Sequence, residues 1–320
     1  MKAYVKTPAR LHLGLIDLNG DLGRMFGGLG VGIEQPSTIV EAELSKKTTI
    51  TGEETELATT LTERFFKAYP VKANVHINVK KAIPAHTGLG SGTQLALAIA
   101  TAIAKICNIK VSTQELSLAM GRVQRTGVGT AIFEKGGFVV DGGKPTKNSA
   151  EKCVPPLIFR QPFPSEWRFI IVIPNSKKGL SGTDELAAMT QLPPMSTEEV
   201  GKVCRLTMLK LLPALAEKDI VNFGEALTDI QVATGKYFAQ TQGGIYYSPI
   251  AAEYVELLHK LGAYGAGQSS WGPTLYGIVK KEEAKKVIVK VQAHLKKGVG
   301  GQVFITKADN IGAQIRLIKG

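Results

Sequence analysis

The sequence predicts an α+β protein of two domains. A glycine-rich stretch opens directly into an apolar helix near residue 90, and the second half mixes strands and helices without the repeat of a parallel sheet. A proline-rich segment with few apolar runs, residues 144–164, lies between the two halves. We therefore predict an N-terminal β-α domain over residues 1–164 and a C-terminal ferredoxin-like domain over residues 165–320.

Composition limits the function classes. Apolar residues make up 44% and charged residues 21% of the chain, as in globular proteins. The sequence shows neither an apolar run of membrane-spanning length nor a signal peptide, so we expect a cytoplasmic protein without membrane partners. The net charge of +12 comes from scattered lysine pairs, which argues against nucleic acid and leaves a solvated surface or attraction of an anionic substrate. Three widely spaced cysteines indicate neither disulfides nor zinc.

The N-terminal segment reads as strands and tight turns over residues 1–44. Between Asp17 and Gly30 it holds several glycines, two aspartates and an arginine. Such a segment is either a long hairpin or a loop that approaches a ligand, and its density of polar residues favours the ligand loop.

The next elements follow from periodicity. Residues 56–69 form an amphipathic helix, residues 74–79 alternate as a strand, and Ser112 with Glu115 forms a capping box that starts another helix. Arg122 and Arg125 end this helix. They either interact with its C-terminus or bind a phosphate.

The organising feature is the glycine-rich turn of residues 84–94. Three glycines let backbone N–H groups approach a ligand, and the following helix start attracts anions. The Walker A and dinucleotide-binding patterns do not match, and an ordinary turn that caps a core helix is the alternative. The predicted pyrophosphate ligands are Gly88, Gly90, Ser91, Gly92, Thr93 and Gln94.

Two further glycine-rich stretches follow. Residues 125–143 surround a short apolar strand and suggest a second backbone approach to the site. Residues 262–274 form a turn that leads into a strand. The second half otherwise reads as strands at 167–173, 274–279 and 301–306, with helices at 197–218, 220–240, 248–261 and 282–296.

The glycine-rich motif resembles the second motif of the GHMP small-molecule kinase superfamily, in which a proline and Gly-Leu-Gly-Ser lead into an alanine-rich helix. Three glycine-rich stations along the chain match the layout of that superfamily. The resemblance implies a two-domain GHMP-kinase-like fold with the site in the cleft between the domains. It also implies a catalytic aspartate seven residues before a Gly-Gly pair, but Gly129 occupies that position here.

Four longer strings point to one branch of the superfamily. Residues 9–20, 22–24, 127–131 with 136–143, and 267–274 resemble the β-ribofuranosylaminobenzene 5′-phosphate synthases. That resemblance implies condensation of phosphoribosyl pyrophosphate with 4-aminobenzoate or 4-hydroxybenzoate, with release of pyrophosphate and CO₂ in methanopterin biosynthesis. It further implies an archaeal or methylotroph source and a requirement for Mg²⁺.

The implied chemistry needs no kinase base, because an electron-rich ring carbon attacks an oxocarbenium-like ribose C1. We expect Arg24 to hold the benzoate carboxylate, and Asp17 or His12 to accept from the para substituent or to stabilise the positive charge. Arg24 as a surface residue and His12 as an ordinary half-buried histidine are the alternatives. Further expected substrate contacts are Asn19, Arg122, Arg125, Gly129, Thr130, Gln268, Ser269, Ser270 and Trp271. Candidate Mg²⁺ ligands are Asp17, Ser91, Glu115, Glu134 and Asp141.

Two other functions stay open at this point. One is an ATP-dependent GHMP kinase with a relocated base, and the other is a phosphometabolite-binding protein without catalysis. The sequence leaves the preferred benzoate and the oligomeric state open, a homodimer included.

Overall fold

The computed structural model describes residues 1–122, 125–146, 153–176 and 192–318. A first sheet of eight strands contains β1 (Lys2–Asp17), β2 (Arg24–Leu44), β3 (Thr49–Gly52), β4 (Val75–Lys81), β5 (Phe138–Asp141), β6 (Lys144–Pro145), β7 (Leu157–Gln161) and β12 (Gln314–Ile318). A second sheet of four strands contains β8 (Trp167–Pro174), β9 (Gly265–Gln268), β10 (Leu275–Lys280) and β11 (Gly301–Thr306).

Helices cover both sheets. Those of the first half are α1 (Thr55–Ala68), α2 (Ser91–Ile106), α3 (Thr113–Ala119) and α4 (Val128–Lys135). Those of the second half are α5 (Thr197–Leu206), a π-helical turn (Thr207–Leu211), α6 (Leu212–Glu217), α7 (Ile220–Gln242), α8 (Pro249–Lys260) and α9 (Ala284–Lys297).

Strands β1 and β2 form one long antiparallel hairpin, in which Lys2 pairs with Glu43 and Asp17 with Phe26. The prediction of a ligand loop between Asp17 and Gly30 is therefore wrong for most of that segment, and the hairpin alternative is correct. The glycines serve packing instead. A Cβ built on Gly30 would lie 2.4 Å from Cγ1 of Val128, so glycine in β2 lets α4 approach the sheet.

Helix α2 is almost entirely buried from Gln94 to Ala104. Its apolar side chains pack with Val5, Val40 and Ile77 of the first sheet in one hydrophobic cluster. Gly90, with φ of 78°, is the residue before the first helical turn, and this left-handed conformation favours glycine. The glycine-rich turn is thus carried by a helix anchored in the core, as the sequence predicts.

The stretch from residue 125 to 143 holds more regular structure than the sequence predicts. Val128–Lys135 is helix α4, and only Phe138–Asp141 is the expected short strand. Flanking glycines obscured the helix, although Val128, Ile132 and Phe133 are buried at helical spacing. Helix α3 does begin at the predicted capping box of Ser112 and Glu115.

The second sheet has the strand order β11-β8-β10-β9, with all neighbours antiparallel. In chain order this is 4-1-3-2, with helices between the first and second strands and between the third and fourth. This arrangement is the ferredoxin-like fold that the sequence predicts.

One hydrophobic core joins the two halves. Leu11 and Leu13 of β1 pack in the same cluster as Phe223 and Leu227 of α7 and Phe169 of β8. The boundary predicted near Pro164 falls between β7, in the first sheet, and β8, in the second, and it remains a prediction. The chain crosses back at its end, because β12 pairs with β1.

In the part of the chain that the structure describes, no helix has the length and apolar character needed to cross a membrane.

Candidate active site

A cavity of about 210 Å³ lies where the two halves of the chain meet. Arg10, His12 and Gly14 line it from β1, and Leu15 continues this wall. Helix α7 and the turn after β9 form the facing walls, so the cavity lies in the cleft between the predicted domains. Alternation along β1 explains why Arg10 and His12 share this wall, because residues two apart project from the same face of a strand. A register shift follows between His12 and Gly14.

The glycine-rich turn is fixed to both walls through one carbonyl group. The Gly88 oxygen accepts hydrogen bonds from Arg10 Nη1 at 2.7 Å and from Ser269 Oγ at 2.7 Å. Ser269 Oγ in turn accepts from the backbone N–H of His12 at 3.0 Å. The three predicted glycine-rich stations therefore converge, although the first contributes β1 residues and not the hairpin turn.

The loop glycines are in close contact with other groups. A Cβ built on Gly88 would lie 2.3 Å from the Ser269 carbonyl oxygen, and one on Gly90 would lie 2.7 Å from Cγ of Arg10. A Cβ on Gly92 would lie 3.1 Å from Nη1 of Arg122. Two arginine side chains thus lie directly against the start of α2, where backbone N–H groups already attract anions.

Positive charge dominates around this loop. Arg122 Nε is buried and has no hydrogen-bond partner among the described residues. Burial, with the nearby charge of Arg64, lowers the pKa of the Arg122 guanidinium. Arg10 and Arg125 both line the cavity. The arrangement can bind an anion of high charge. Phosphate binding by Arg122 and Arg125 stays a prediction.

His12 is neutral in this setting. Burial, together with the charges of Arg10 and Arg125, lowers the pKa of the His12 imidazole to about 3. A neutral imidazole has one nitrogen that accepts a hydrogen bond, so His12 can accept a proton from a bound substrate. It cannot supply a positive charge at neutral pH.

Gly129 occupies the position of the kinase base. It lies in the first turn of α4 and close to the start of α2. A Cβ built on Gly129 would lie 3.0 Å from Cγ2 of Thr93, at the start of α2. Gly129 also accepts a hydrogen bond from Gln94 Nε2 at 2.9 Å. A side chain at position 129 would therefore point at the predicted pyrophosphate loop, and this chain carries no carboxylate there.

Three aromatic side chains line one part of the cavity. Phe238 and Trp271 pack with ring centroids 4.9 Å apart, and Tyr246 also lines the cavity. Gln268 and Ser270 complete this side, so three of the four residues expected from the third glycine-rich turn line the cavity. A flat aromatic ligand fits such walls.

Two predicted ligands have structural roles instead. Gln94 is fully buried and bonds to Thr7 and to the Gly129 carbonyl, which ties α2 to β1 and α4. Thr130 is buried and shares a hydrogen bond with Ser117, which ties α4 to α3. The predicted ligand roles of Gln94 and Thr130 are therefore corrected, because their polar groups form hydrogen bonds within the protein.

The structure does not bring Arg24 to the cavity. Its side chain is exposed, with Nε bonded to the carbonyl of Gly142 and Nη2 to that of Gly143, both at 2.7 Å. The guanidinium fork thus holds a backbone turn. This favours the surface alternative over the proposed contact with the benzoate carboxylate.

Asp17 and Asn19 also serve the hairpin turn. Asp17 Oδ1 accepts from the backbone N–H groups of Asn19 and Gly20 at 2.7 and 2.8 Å. Asn19 Nδ2 donates to the carbonyl of Met195 at 2.6 Å. Neither side chain is among the cavity-lining residues.

The candidate carboxylates for Mg²⁺ do not converge. Glu115 completes the capping box of α3, and Glu134 accepts from Gln114 at 2.6 Å. Asp141 is buried and accepts from the N–H groups of Gly127 and Gly143, and burial raises the pKa of its carboxyl group to about 6. The described residues hold no cluster of three or more metal-ligating side chains. Ser91 lies at the start of α2 as predicted.

Sequence reasoning missed several cavity residues. Arg10 lies in the string 9–20 that resembles the synthases, and it shares a strand face with His12. Its place in the cavity wall could therefore have been predicted from the sequence. Gln231, Thr234 and Phe238 recur at helical spacing along α7, but only the tertiary structure shows that this face of the helix borders a cavity.

Two family models match this chain. Residues 56–136 match the family model of the GHMP kinases N terminal domain, and residues 211–297 match that of the GHMP kinases C terminal. Galactokinase from Lactococcus lactis has a similar fold, with a TM-score of 0.73 at 14% identity over 98% of this chain and 95% of that one. Homoserine kinase from Cytophaga hutchinsonii gives 0.68 at 17% identity, over 98% and 97%.

Three archaeal proteins named beta-ribofuranosylphenol 5′-phosphate synthase are similar over almost their whole length. The protein of Methanothermobacter thermautotrophicus is 32% identical over 98% of both chains. That of Methanocaldococcus jannaschii is 33% identical over 97% of this chain and 99% of its own. That of Archaeoglobus fulgidus is 34% identical over 98% of this chain and 99% of its own.

Proposed function

Because this chain belongs to the family of the β-ribofuranosylphenol 5′-phosphate synthases, we propose that it condenses phosphoribosyl pyrophosphate with 4-hydroxybenzoate. The products are a ribofuranosylphenol 5′-phosphate, pyrophosphate and CO₂, in a step of methanopterin biosynthesis. The observation that carries this proposal is an aromatic cavity that opens beside an anion loop with no carboxylate at position 129.

The donor binds at the start of α2. The backbone N–H groups of the loop and the hydroxyl of Ser91 face its pyrophosphate, and Arg122 supplies positive charge beside Gly92. Leaving-group charge grows as the C1–oxygen bond breaks, so donors placed there stabilise the transition state more than the ground state. An aspartate at position 129 would repel the same charge.

The acceptor binds in the cavity with its ring between the aromatic walls. Arg10 takes over the role first expected of Arg24, because it lines the cavity and contacts the loop carbonyl of Gly88. Its guanidinium holds the carboxylate and places the adjacent ring carbon toward ribose C1. Holding two reactants in this way replaces a bimolecular encounter with a positioned one.

The bonds change in two stages. The C1–oxygen bond of the donor breaks and its electron pair leaves with pyrophosphate, while the ring carbon that bears the carboxylate bonds to C1. The ring is then cationic, and His12 accepts the hydrogen bond of the para hydroxyl as positive charge spreads to that oxygen. The carbon–carboxylate bond breaks next, CO₂ leaves, and its electron pair restores the aromatic ring.

We propose that Mg²⁺ binds together with the phosphoribosyl pyrophosphate donor. The carboxylates Glu115, Glu134 and Asp141 are occupied by other contacts, which does not fit a resident site built from them. Mg²⁺ commonly binds substrate phosphates with one or two protein ligands, and the hydroxyl of Ser91 fits that part. We expect donor binding to require Mg²⁺ and acceptor binding to be independent of it.

The deciding experiment is incubation with phosphoribosyl pyrophosphate and carboxyl-labelled 4-hydroxybenzoate. We expect labelled CO₂ and pyrophosphate in equal amounts, and neither product when the donor is omitted. ATP-dependent phosphorylation of an alcohol, without CO₂ release, would instead establish a kinase. Light scattering on the same preparation tests the homodimer.

A further inference from the structure

One face of helix α7 forms a cavity wall, and a hydroxyl on it has no partner. Gln231, Thr234, Gly235 and Phe238 follow the i, i+3, i+4, i+7 spacing of a single helical face, and all four line the cavity. Oγ1 of Thr234 is buried and makes no hydrogen bond to any described residue. Leaving a buried hydroxyl without a hydrogen-bond partner is unfavourable, so such a group calls for an explanation.

The other polar side chain on this face is already satisfied. Gln231 Nε2 donates to the carbonyl of Leu13 at 2.6 Å, and its Oε1 accepts from the N–H of Gln268 at 3.0 Å. Gln231 therefore holds the wall in place by joining β1 to β9. Gln242, which continues this face, donates from Nε2 to the carbonyls of Gly235 and Ile245. Oγ1 of Thr234, by contrast, makes no hydrogen bond to a described residue.

The position of Thr234 along the cavity follows from β1. Arg10, His12 and Gly14 succeed one another on the cavity wall, starting at the anion loop. Oγ1 of Thr234 lies 3.5 Å from the point where a Cβ on Gly14 would be. A ring whose carboxylate is held by Arg10 therefore directs its para substituent past His12 toward Thr234.

We propose that Thr234 is a specificity-determining residue whose hydroxyl donates a hydrogen bond to the para oxygen of the acceptor. The inference rests on the proposed function. In the structure Oγ1 faces Gly14, although Thr234 lines the cavity. Threonine in a helix divides between two χ1 rotamers, and the proposal requires the rotamer that directs the hydroxyl at the ligand. A para hydroxyl then donates to His12 and accepts from Thr234.

These two hydrogen bonds discriminate between 4-hydroxybenzoate and 4-aminobenzoate, two substrates of nearly equal size. The para oxygen of 4-hydroxybenzoate has a lone pair directed at a donor. The nitrogen of 4-aminobenzoate has its lone pair drawn into the ring, which makes it a poor acceptor. Thr234 thus favours the hydroxyl compound by hydrogen bonding, since an apolar pocket discriminates poorly between isosteres.

Three variants test the assignment. Thr234→Val keeps the shape and removes the hydroxyl, and Thr234→Ser keeps the hydroxyl. Thr228→Val makes the same change on the same helix outside the cavity, where Thr228 bonds to the Gly224 carbonyl at 2.9 Å. The measurements are kcat/KM for 4-hydroxybenzoate and 4-aminobenzoate, with calorimetric Kd values for 4-hydroxybenzoate and benzoate.

For Thr234→Val we expect kcat/KM on 4-hydroxybenzoate to fall about ten- to thirtyfold, and on 4-aminobenzoate less than about threefold. Thr234→Ser and Thr228→Val should keep the wild-type ratio. Equal losses on both acceptors, or no loss on either, would overturn the assignment. If wild-type protein forms no product, the proposed function fails, and the ratio of Kd values for benzoate and 4-hydroxybenzoate tests Thr234 alone: an unchanged ratio in Thr234→Val rejects it.

Discussion

The guanidinium of Arg10 donates from Nη1 to the carbonyl oxygen of Gly88 at 2.7 Å. Arg10 also lines the cavity, so a single side chain joins the proposed acceptor site to the loop that receives the donor. We therefore expect a change at either residue to affect both proposed binding sites.

Arg10→Lys keeps the charge and loses the planar fork. We expect kcat/KM for 4-hydroxybenzoate to fall about ten- to hundredfold, because a bidentate contact with a carboxylate cannot be reproduced by an ammonium group. Steady-state kinetics measure the change. Arg24→Lys is the matched control, since Arg24 bonds to the turn carbonyls of Gly142 and Gly143. A large acceptor defect in Arg24→Lys with none in Arg10→Lys would return the carboxylate role to Arg24.

Gly88→Ala should abolish turnover in a protein that still folds. Gly88 has φ of 81°, and its added Cβ would lie 2.3 Å from the Ser269 carbonyl oxygen, so the loop must move. Gly23→Ala is the control, because Gly23 has φ of 84° and nothing within 4 Å of an added Cβ. Both variants place alanine at a similar positive φ, which costs about 1–3 kcal/mol. Equal activity in the two, at matched thermal stability, would argue against the loop's role.

Gly129→Asp restores the acidic residue that the kinases of the superfamily carry. We expect the Kd for phosphoribosyl pyrophosphate to rise at least about tenfold, because the carboxylate would face the start of α2 beside Thr93. Gly129→Ala separates the steric part, since its Cβ would lie 3.0 Å from Cγ2 of Thr93. Calorimetry gives both values. If alanine weakens donor binding as much as aspartate, charge is not the reason that glycine occupies this position.

The pH dependence of His12 has a defined sign. Burial and neighbouring arginines lower the pKa of His12 from 6.5 to about 3. The unfolded chain therefore binds more protons than the folded protein between about pH 3 and 6.5, so this residue makes the free energy of unfolding rise with pH across that window. In proton NMR titrations we expect the His12 signal, identified by its loss in His12→Gln, to stay unchanged down to pH 5. A midpoint near 6.5 would contradict the neutral acceptor role.

His12→Gln also tests the chemistry. Glutamine keeps a hydrogen-bond acceptor but is a far weaker base, so we expect kcat on 4-hydroxybenzoate to fall about tenfold or more, with a smaller change in acceptor Kd. An unchanged kcat would mean that the imidazole only fills space in the cavity wall.

Local pattern was enough to predict much of the fold. The buried helix after the glycine-rich turn, the capping box of Ser112 and Glu115, and the strand Gly301–Thr306 each have a signature in neighbouring residues. Periodicity and capping motifs are such signatures. Helix α4 escaped prediction, because glycines that let other elements approach it looked like loop signals.

Side-chain roles were harder to predict than the motifs that carry them. Gln94 and Thr130 stand inside glycine-rich motifs, and the structure uses both for internal hydrogen bonds. Arg24 lies in a string that resembles the synthases, but its guanidinium donates to the backbone carbonyl of Gly142. A motif places a residue near a site, but only the direction of the side chain decides whether it reaches the ligand.

The sequence by itself determined the α+β architecture and the glycine-rich turn that opens into a buried helix, because periodicity and glycine clusters are visible in neighbouring residues. Anion binding by that turn stays a prediction. Only the tertiary structure decided that Arg10 and His12 share a cavity with Thr234 and Trp271. The β1 residues lie more than 200 positions before Thr234 of helix α7 and Trp271 of the turn after β9. Their meeting depends on how a common core packs, which no local pattern specifies.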